Sequence, residues 1–306
     1  MEASLSQKPP LELNLRTVIR SLRLFALPAS VLPVLVATAA SAKVSAWRWD
    51  VLAASMLGAG LLNVAGNLIN DYFDFRKGVD RRVDGDENRP GRVLVRGEMM
   101  PRQVLAEFYI CLGVIAALVA YLSLACGPEI VYLAMAAVVA VYIYTGPPFA
   151  MKYRALGELN IFMVFGPLLM LGAAWAQTGQ WLGNVALLSV PVGLITTAIL
   201  VGNNARDREE DAGAGIRTIA SWSEGKIAQA AYVVSVLGGV AGLAALAWAG
   251  IAPRALLAAP LLLVLVVKPL SAVIGGRRLP DIDAQTARFE AVLLTAVTAA
   301  YIAWPL

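Results

Sequence analysis

Residues 51–69 read Val-Leu-Ala-Ala-Ser-Met-Leu-Gly-Ala-Gly-Leu-Leu-Asn-Val-Ala-Gly-Asn-Leu-Ile, and the chain then turns polar at Asn70-Asp71-Tyr72-Phe73-Asp74. An α-helix needs about 17–25 mostly apolar residues to cross the hydrocarbon core of a bilayer. The polar run that caps this one has a second copy, Asn203-Asn204-Ala205-Arg206-Asp207, continued to Asp211, at the end of another apolar run. Each copy sets an Asn four residues before an Asp. Residues at i, i+4 and i+8 share a helix face, so Asn70 and Asp74 align, as do Asn203, Asp207 and Asp211. Carboxylates stacked in this way repel one another unless a cation lies between them. Hard oxygen donors suit Mg2+, which completes its shell with water and substrate phosphates.

The whole chain follows the pattern of that first stretch. Of its 306 residues 59% are hydrophobic and 15% charged, and the mean hydropathy is +0.69, which is too apolar for an ordinary soluble domain. There is no histidine, which removes His-based acid–base chemistry, His–zinc sites and His proton relays. Cys111 and Cys126 fall on one expected helix about 22 Å apart, too far to bridge.

Apolar runs long enough to span a membrane occur near 24–41, 51–69, 104–124, 129–146, 159–177, 185–203, 227–249, 253–272 and 289–305. The expected architecture is all-α, a polytopic bundle of nine transmembrane helices. Residues 1–23 form a separate basic amphipathic segment for the membrane surface, with Leu11, Leu13, Leu15, Val18, Ile19 and Leu22 set among Arg16, Arg20 and Arg23. Residues 24–306 form a single membrane domain. The first span, with Pro28 and Pro33 in a long apolar run, is expected to be retained, not cleaved as a signal peptide.

Four crossings separate the two acidic runs, so both emerge on one side, together with the connection at 147–158. That side collects 22 of the 25 Lys and Arg; Lys43, Arg48 and Arg254 fall opposite. The positive-inside rule puts the acidic runs at the cytoplasmic face and the C-terminus outside.

One such loop alone would be an ordinary solvated edge. Two with the same spacing, at span ends on one face, call for a shared partner. A diphosphate with a long hydrocarbon tail needs divalent metal, Lys/Arg and an oily enclosure together. Loss of diphosphate from an allylic carbon leaves a carbocation, which needs a dry pocket and aromatic faces. Tyr72, Tyr142, Tyr144, Phe149 and Tyr153 are available for that.

Three stretches carry a resemblance. They are Asn67 to Asp80 (Asn-Leu-Ile-Asn-Asp-Tyr-Phe-Asp-Phe-Arg-Lys-Gly-Val-Asp); Tyr144-Thr145-Gly146-Pro147-Pro148 leading to Lys152-Tyr153 and Leu156-Gly157-Glu158; and Gly202 to Asp211, followed by Gly215-Ile216-Arg217-Thr218. With Leu27-Pro28, they make the chain similar to the UbiA superfamily of intramembrane aromatic prenyltransferases. It most resembles the menaquinone-pathway branch, the 1,4-dihydroxy-2-naphthoate polyprenyltransferases.

The resemblance implies that Asn70, Asp74 and Asp80 bind one Mg2+ and that Asn203, Asp207 and Asp211 bind another. It implies Lys77, Arg92, Lys152 and Arg206 as diphosphate contacts, and Asp71, Lys152 and Tyr144 as the groups nearest the chemistry. It also implies a central cavity under a cap of cytoplasmic loops, with a side opening to lipid. The partners are then a polyprenyl diphosphate, an aromatic acceptor and membrane lipid, with no nucleic acid. Position 78 is Gly and the next acid is Asp80, a longer spacing than the general Asn-x3-Asp-x3-Asp of the superfamily and like that of the menaquinone branch. Gly78 is expected to end the helix. Without metal, Asp74 and Asp207 are expected to be solvated. Prenylation of 4-hydroxybenzoate or homogentisate is the alternative within the class, and a cation-coupled secondary transporter is the alternative outside it.

Overall fold

The computed structural model describes residues 15–79, 93–213 and 215–304. Among these the secondary structure is helical: α1 (Leu15–Ser21), α2 (Pro28–Ala40), α3 (Trp49–Lys77), α4 (Pro101–Cys126), α5 (Glu129–Thr145), α6 (Gly157–Thr178), α7 (Gly183–Gly213), α8 (Ser223–Trp248), α9 (Arg254–Ile274) and α10 (Ile282–Ala303). Seven of these helices are long and apolar enough to cross a membrane. They become eight if α1 and α2, bent by 46° at their junction, count as one span. Nine spans were expected. The segment expected at 129–146 forms α5, an apolar helix of 17 residues, at the lower limit for crossing a bilayer core and shorter than the seven.

The sequence explains the helix ends. α3 opens with Asp50 in its first turn, where a carboxylate favours the positive end of the helix dipole. It stops at Gly78, whose φ of 67° is left-handed. The Val79 N–H returns to the Asp74 carbonyl at 2.9 Å, which satisfies a carbonyl that the helix leaves open. α4 starts with Pro101 at its first position, and the Gln103 side chain accepts from the Met100 N–H at 2.7 Å. Pro167 lies in a π-helical turn, Val164–Leu168, within α6; its ring removes a helix donor and the ladder shifts register there.

Each helix from α2 onward packs against its chain neighbour, and α10 returns onto α2, which closes a ring. The largest core cluster joins α2, α6, α7, α8 and α10 through Val34, Met170, Leu188, Ile195, Tyr232 and Phe289. Inside it, the Tyr232 hydroxyl shares a hydrogen bond of 2.6 Å with Thr286. Helices in lipid gain little from apolar burial against one another, so close packing of small residues matters more. α6 and α7 meet in this way: a Cβ on Gly166 would come within 2.7 Å of the Ser189 carbonyl, and one on Gly193 within 3.0 Å of the Gly166 Cα.

On the polar side a lone parallel bridge joins Arg154 to Arg217, tying the 147–158 connection to the segment after α7. α1 is fastened by Arg20 to Glu98 at 2.9 Å and by the Ser21 hydroxyl to Glu107 at 2.7 Å.

Gly193→Leu would drive a side chain into the α6 backbone. The expected loss is about 3 kcal/mol, the upper end for overpacking, measured as a lowered melting midpoint in detergent. Ala291→Leu, on α10, is the control and should leave it unchanged.

Candidate active site

A cavity of about 260 Å³ lies between α3, α5, α6 and α7, with residues 23–29 on its rim. Its polar part carries Arg23, Asn70, Tyr144, Lys152, Asn203 and Asp283, and its apolar part Leu62, Val141, Val164 and Phe165. One helix face accounts for the α3 contribution: Asn63, Asn67 and Asn70 all line the cavity, and the Asn67 amide donates to Asn63 Oδ1 at 2.9 Å.

The two Asn-x3-Asp motifs are built alike, and each encloses a basic side chain. Lys152 Nζ donates to Asn70 Oδ1 at 3.2 Å and to Asp74 Oδ2 at 2.6 Å. The other Asp74 oxygen accepts from the Tyr153 hydroxyl at 2.6 Å. Arg206 Nε and Nη2 each donate to the Asp207 carboxylate at 2.8 Å, and Nη2 also donates to Asn203 Oδ1. Its remaining branch pairs with Asp283 at 2.6 Å. The Asn and Asp oxygens of each motif therefore converge on one cationic centre.

This corrects one expectation. Asp74 is buried, at 2% exposure, and paired, not solvated; Asp207 is half-buried and paired with Arg206. An ionised carboxylate so placed needs a hydrogen-bonded counter-charge, and the chain supplies it.

The other expected site residues are distributed as follows. Tyr144 and Lys152 line the cavity. Asp71 is buried and accepts from Arg23; one residue round the helix from Asn70, it faces the segment just before α2. Lys77 is exposed, its Nζ 3.6 Å from the centroid of the Tyr153 ring, and it does not line the cavity. Asp211 sits in the last turns of α7, half-buried, with its carbonyl accepting from the Ile216 N–H at 2.9 Å. Asp80 and Arg92 lie outside the described residues. Of the expected aromatic residues only Tyr144 reaches the cavity. Tyr72 and Tyr142 pack edge-on to Phe73, and Phe149 is exposed. Among the described residues no three acidic side chains gather at one point. The oxygen donors come as Asn–Asp pairs instead.

Sequence reasoning had no place for Arg23 or Asp283 as site residues, and it offered Tyr153 as an aromatic face, not as a hydrogen-bond donor to Asp74. Arg23 counted only toward topology and the basic amphipathic segment, although it lies four residues before Leu27-Pro28. Asp283 is brought in by the return of α10, which no spacing discloses. The buried Asn204 amide donates to Glu158 Oε1 at 2.7 Å and links the second motif to α6.

The UbiA prenyltransferase family matches residues 30–299. The UbiA prenyltransferase domain-containing protein 1 homolog of Drosophila melanogaster is 32% identical over 212 residues, covering 68% of this chain and 58% of its own. The protein of that name from Xenopus tropicalis is 35% identical over 209 residues, covering 67% and 59%, and the human one 38% over 159 residues, covering 51% and 45%. The chain thus spans between 45% and 59% of the length of these relatives. Their names do not single out the menaquinone branch.

Among solved structures, a UbiA homolog from Archaeoglobus fulgidus bound to GPP and Mg2+ superposes with a TM-score of 0.67 at 16% identity, covering 94% of this chain and 99% of that one. The apo UbiA homolog from Aeropyrum pernix K1 gives 0.67 at 20% identity, covering 92% and 98%. At those identities the likeness is one of fold.

Lys152→Met would leave Asp74 buried without its strongest counter-charge. The expected cost is about 3 kcal/mol, read from thermal unfolding in detergent, and adding Asp74→Asn to the same chain should recover most of it.

Proposed function

Because the chain belongs to the UbiA prenyltransferase family, we propose that it transfers a polyprenyl group from its diphosphate to a ring carbon of an electron-rich aromatic acceptor at this cavity. The observation that carries the reading is the convergence of each Asn-x3-Asp pair on one cationic side chain at the mouth of an apolar cavity. A pair of oxygens that grips an ammonium or guanidinium is chemically suited to grip Mg2+. Asn70 and Asp74 would hold one ion and Asn203 and Asp207 the other, with Asp80 and Asp211 as further ligands. When bound, Mg2+ neutralises the diphosphate and makes it a better leaving group.

The chain's own residues do the rest. As the donor enters, Lys152 and Arg206 exchange their carboxylate partners for diphosphate oxygens, Lys152 as a compact point charge and Arg206 as a planar fork. Lys77 and Arg92 supply further positive charge. The allylic C–O bond breaks and its electron pair leaves with diphosphate. Leu62, Val141, Val164 and Phe165 keep water from the allylic cation, and Tyr144, which lines the same cavity, is the aromatic residue we assign to stabilise it. Ring π-electrons form the new C–C bond. For an acceptor that releases a ring proton, we assign its uptake to Asp71, which sits behind the cavity-lining Arg23.

Within the class, 1,4-dihydroxy-2-naphthoate is the acceptor we favour, because Gly78 lengthens the first motif as in the menaquinone branch. The prenyl group would then join the carboxylate-bearing carbon, and CO2 would depart in place of a proton. The helices make the chain an integral membrane protein. The excess of Lys and Arg on the motif side supports a site facing the cytoplasm.

The test is product identification by mass spectrometry after incubating purified protein with Mg2+, geranylgeranyl diphosphate and a panel of aromatic acids. Asp74→Asn and Asp207→Asn keep the side-chain volume and an oxygen for the neighbouring cation. Each is expected to lower turnover at least about a hundredfold, the scale of one lost preorganised electrostatic contact, without loss of the folded protein. Full activity in both variants would overturn the reading. Movement of a substrate across vesicles without diphosphate release would favour a transporter.

A further inference from the structure

A second cavity, of about 110 Å³ and almost wholly apolar, adjoins the first along α3, α5 and α6, with α4 also in its wall. On α3 one stripe at helical spacing runs Asn70, Gly66, Leu62, Gly58 and Ser55; its first members line the polar cavity, its last the apolar one, and Leu62 lines both. On α5 the stripe passes from Tyr144 and Val141 to Ala137, Ala134 and Ile130. On α6 it passes from Ile161 and Phe165 to Leu168, Gly172 and Ala176. The two spaces are thus stacked in one channel. What separates them is a small cluster of buried side chains, Leu62, Ile115, Val141, Val164 and Phe165.

The glycines of the inner chamber differ from those at the helix crossings. Gly166 and Gly193 are needed because backbones touch there. A Cβ on Gly58 would meet nothing closer than Leu118 Cδ1 at 3.9 Å, and one on Gly172 nothing closer than Leu133 Cδ1 at 4.0 Å. Both contacts are ordinary, and both glycines lie in mid-helix, where glycine is costly. No packing constraint in the structure requires them. Their effect is to leave space, and an unfilled apolar space is itself destabilising in proportion to its volume. An apolar cavity of about 150 Å³ stays dry and accepts a molecule the size of benzene. The chamber therefore has room for hydrocarbon, roughly one isoprene unit, and the only polar side chain in its lining is that of Ser55.

Building on the prenyl-transfer reading above, we propose that this chamber receives the distal end of the donor's tail and sets the tail length the protein accepts, with Leu62 as the movable part of the waist. A tail anchored by its diphosphate beside Asn70 and Asn203 would run down the α3 stripe and meet the waist next. Lipid is as apolar as the chamber, so little hydrophobic gain comes from entering it. Selection acts by exclusion: tails that reach the waist are held only if the space beyond it is open.

The test measures binding of dimethylallyl, geranyl, farnesyl and geranylgeranyl diphosphate, each with Mg2+, to the purified full chain in detergent. Gly58→Leu and Gly172→Leu should fill the chamber. They are expected to leave the dissociation constant for geranyl diphosphate within about twofold and to weaken geranylgeranyl diphosphate about tenfold or more. Leu62→Ala should shift the preference the other way, toward longer tails.

Unchanged geranylgeranyl binding in both filled variants would overturn the chamber's role, since the tail would then leave the bundle by another route. Equal weakening of all four donors, with no shift in preference on Leu62→Ala, would overturn it too. Wild-type protein that binds none of the four would instead overturn the prenyl-transfer reading, and the chamber's role with it.

Discussion

A carboxylate at the mouth of a hydrocarbon-lined bundle must have a cation beside it, and this constraint organises the polar end of the structure. Asp74 is met by Lys152, Asp71 by Arg23 and Asp207 by Arg206. Each cation also joins parts of the chain that lie far apart or side by side at the mouth. Lys152 holds the 147–158 connection against α3, Arg23 holds the segment before α2 against α3, and Arg206 reaches from α7 to Asp283 at the start of α10. The contacts that neutralise the acids therefore also close the ring at its polar end. In the proposed reaction the contacts of Lys152 and Arg206 are the ones that must open, because those two cations serve the diphosphate. A buried pair contributes modestly to stability while both partners are present, yet removing one is costly, so the arrangement suits a site that exchanges one counter-charge for another.

Below the mouth the constraint changes from charge to shape. Lipid offers no drive for apolar helices to associate, so their spacing depends on which side chains are small. Where Gly166 and Gly193 meet, absence of a side chain brings α6 and α7 into backbone contact. Where Gly58 and Gly172 face inward, the same absence leaves space. One residue type thus gives both the tight joints of the bundle and its emptiness. The waist of Leu62, Val141 and Phe165 lies where one use gives way to the other.

Much of this was legible in the sequence because its physics is local. Apolar run length discloses membrane helices, and Gly78 announces the end of α3 through its need for positive φ. The i, i+4 spacing of Asn70 with Asp74 and of Asn203 with Asp207 puts each pair on one face. Counting crossings led only to the expectation that the pairs emerge on one side; that Asn70 and Asn203 line one cavity is visible only in the structure. Other features depended on contacts between distant segments. Nothing near Asp283 signals that it will meet Arg206, and nothing near Arg23 signals Asp71. The expectation of solvated acids failed because the sequence does not show that Lys152 and Arg206 fold back onto the motifs. The count of nine spans relied on α5, whose apolar run is long in composition but forms a helix of only 17 residues. The inner chamber was hidden for another reason: a glycine that leaves space and a glycine that permits contact look the same in a sequence.

The central claim is that each Asn-x3-Asp pair is a cation site that trades a side-chain cation for a metal ion when diphosphate binds. The most direct measurement is a structure of the protein with geranyl diphosphate and Mn2+ in place of Mg2+, with the metal located by anomalous scattering. The account predicts one peak at Asn70 and Asp74, another at Asn203 and Asp207, and Lys152 and Arg206 moved onto the diphosphate. Bound geranyl diphosphate with no metal at either pair, and with Lys152 and Arg206 still on Asp74 and Asp207, would contradict it.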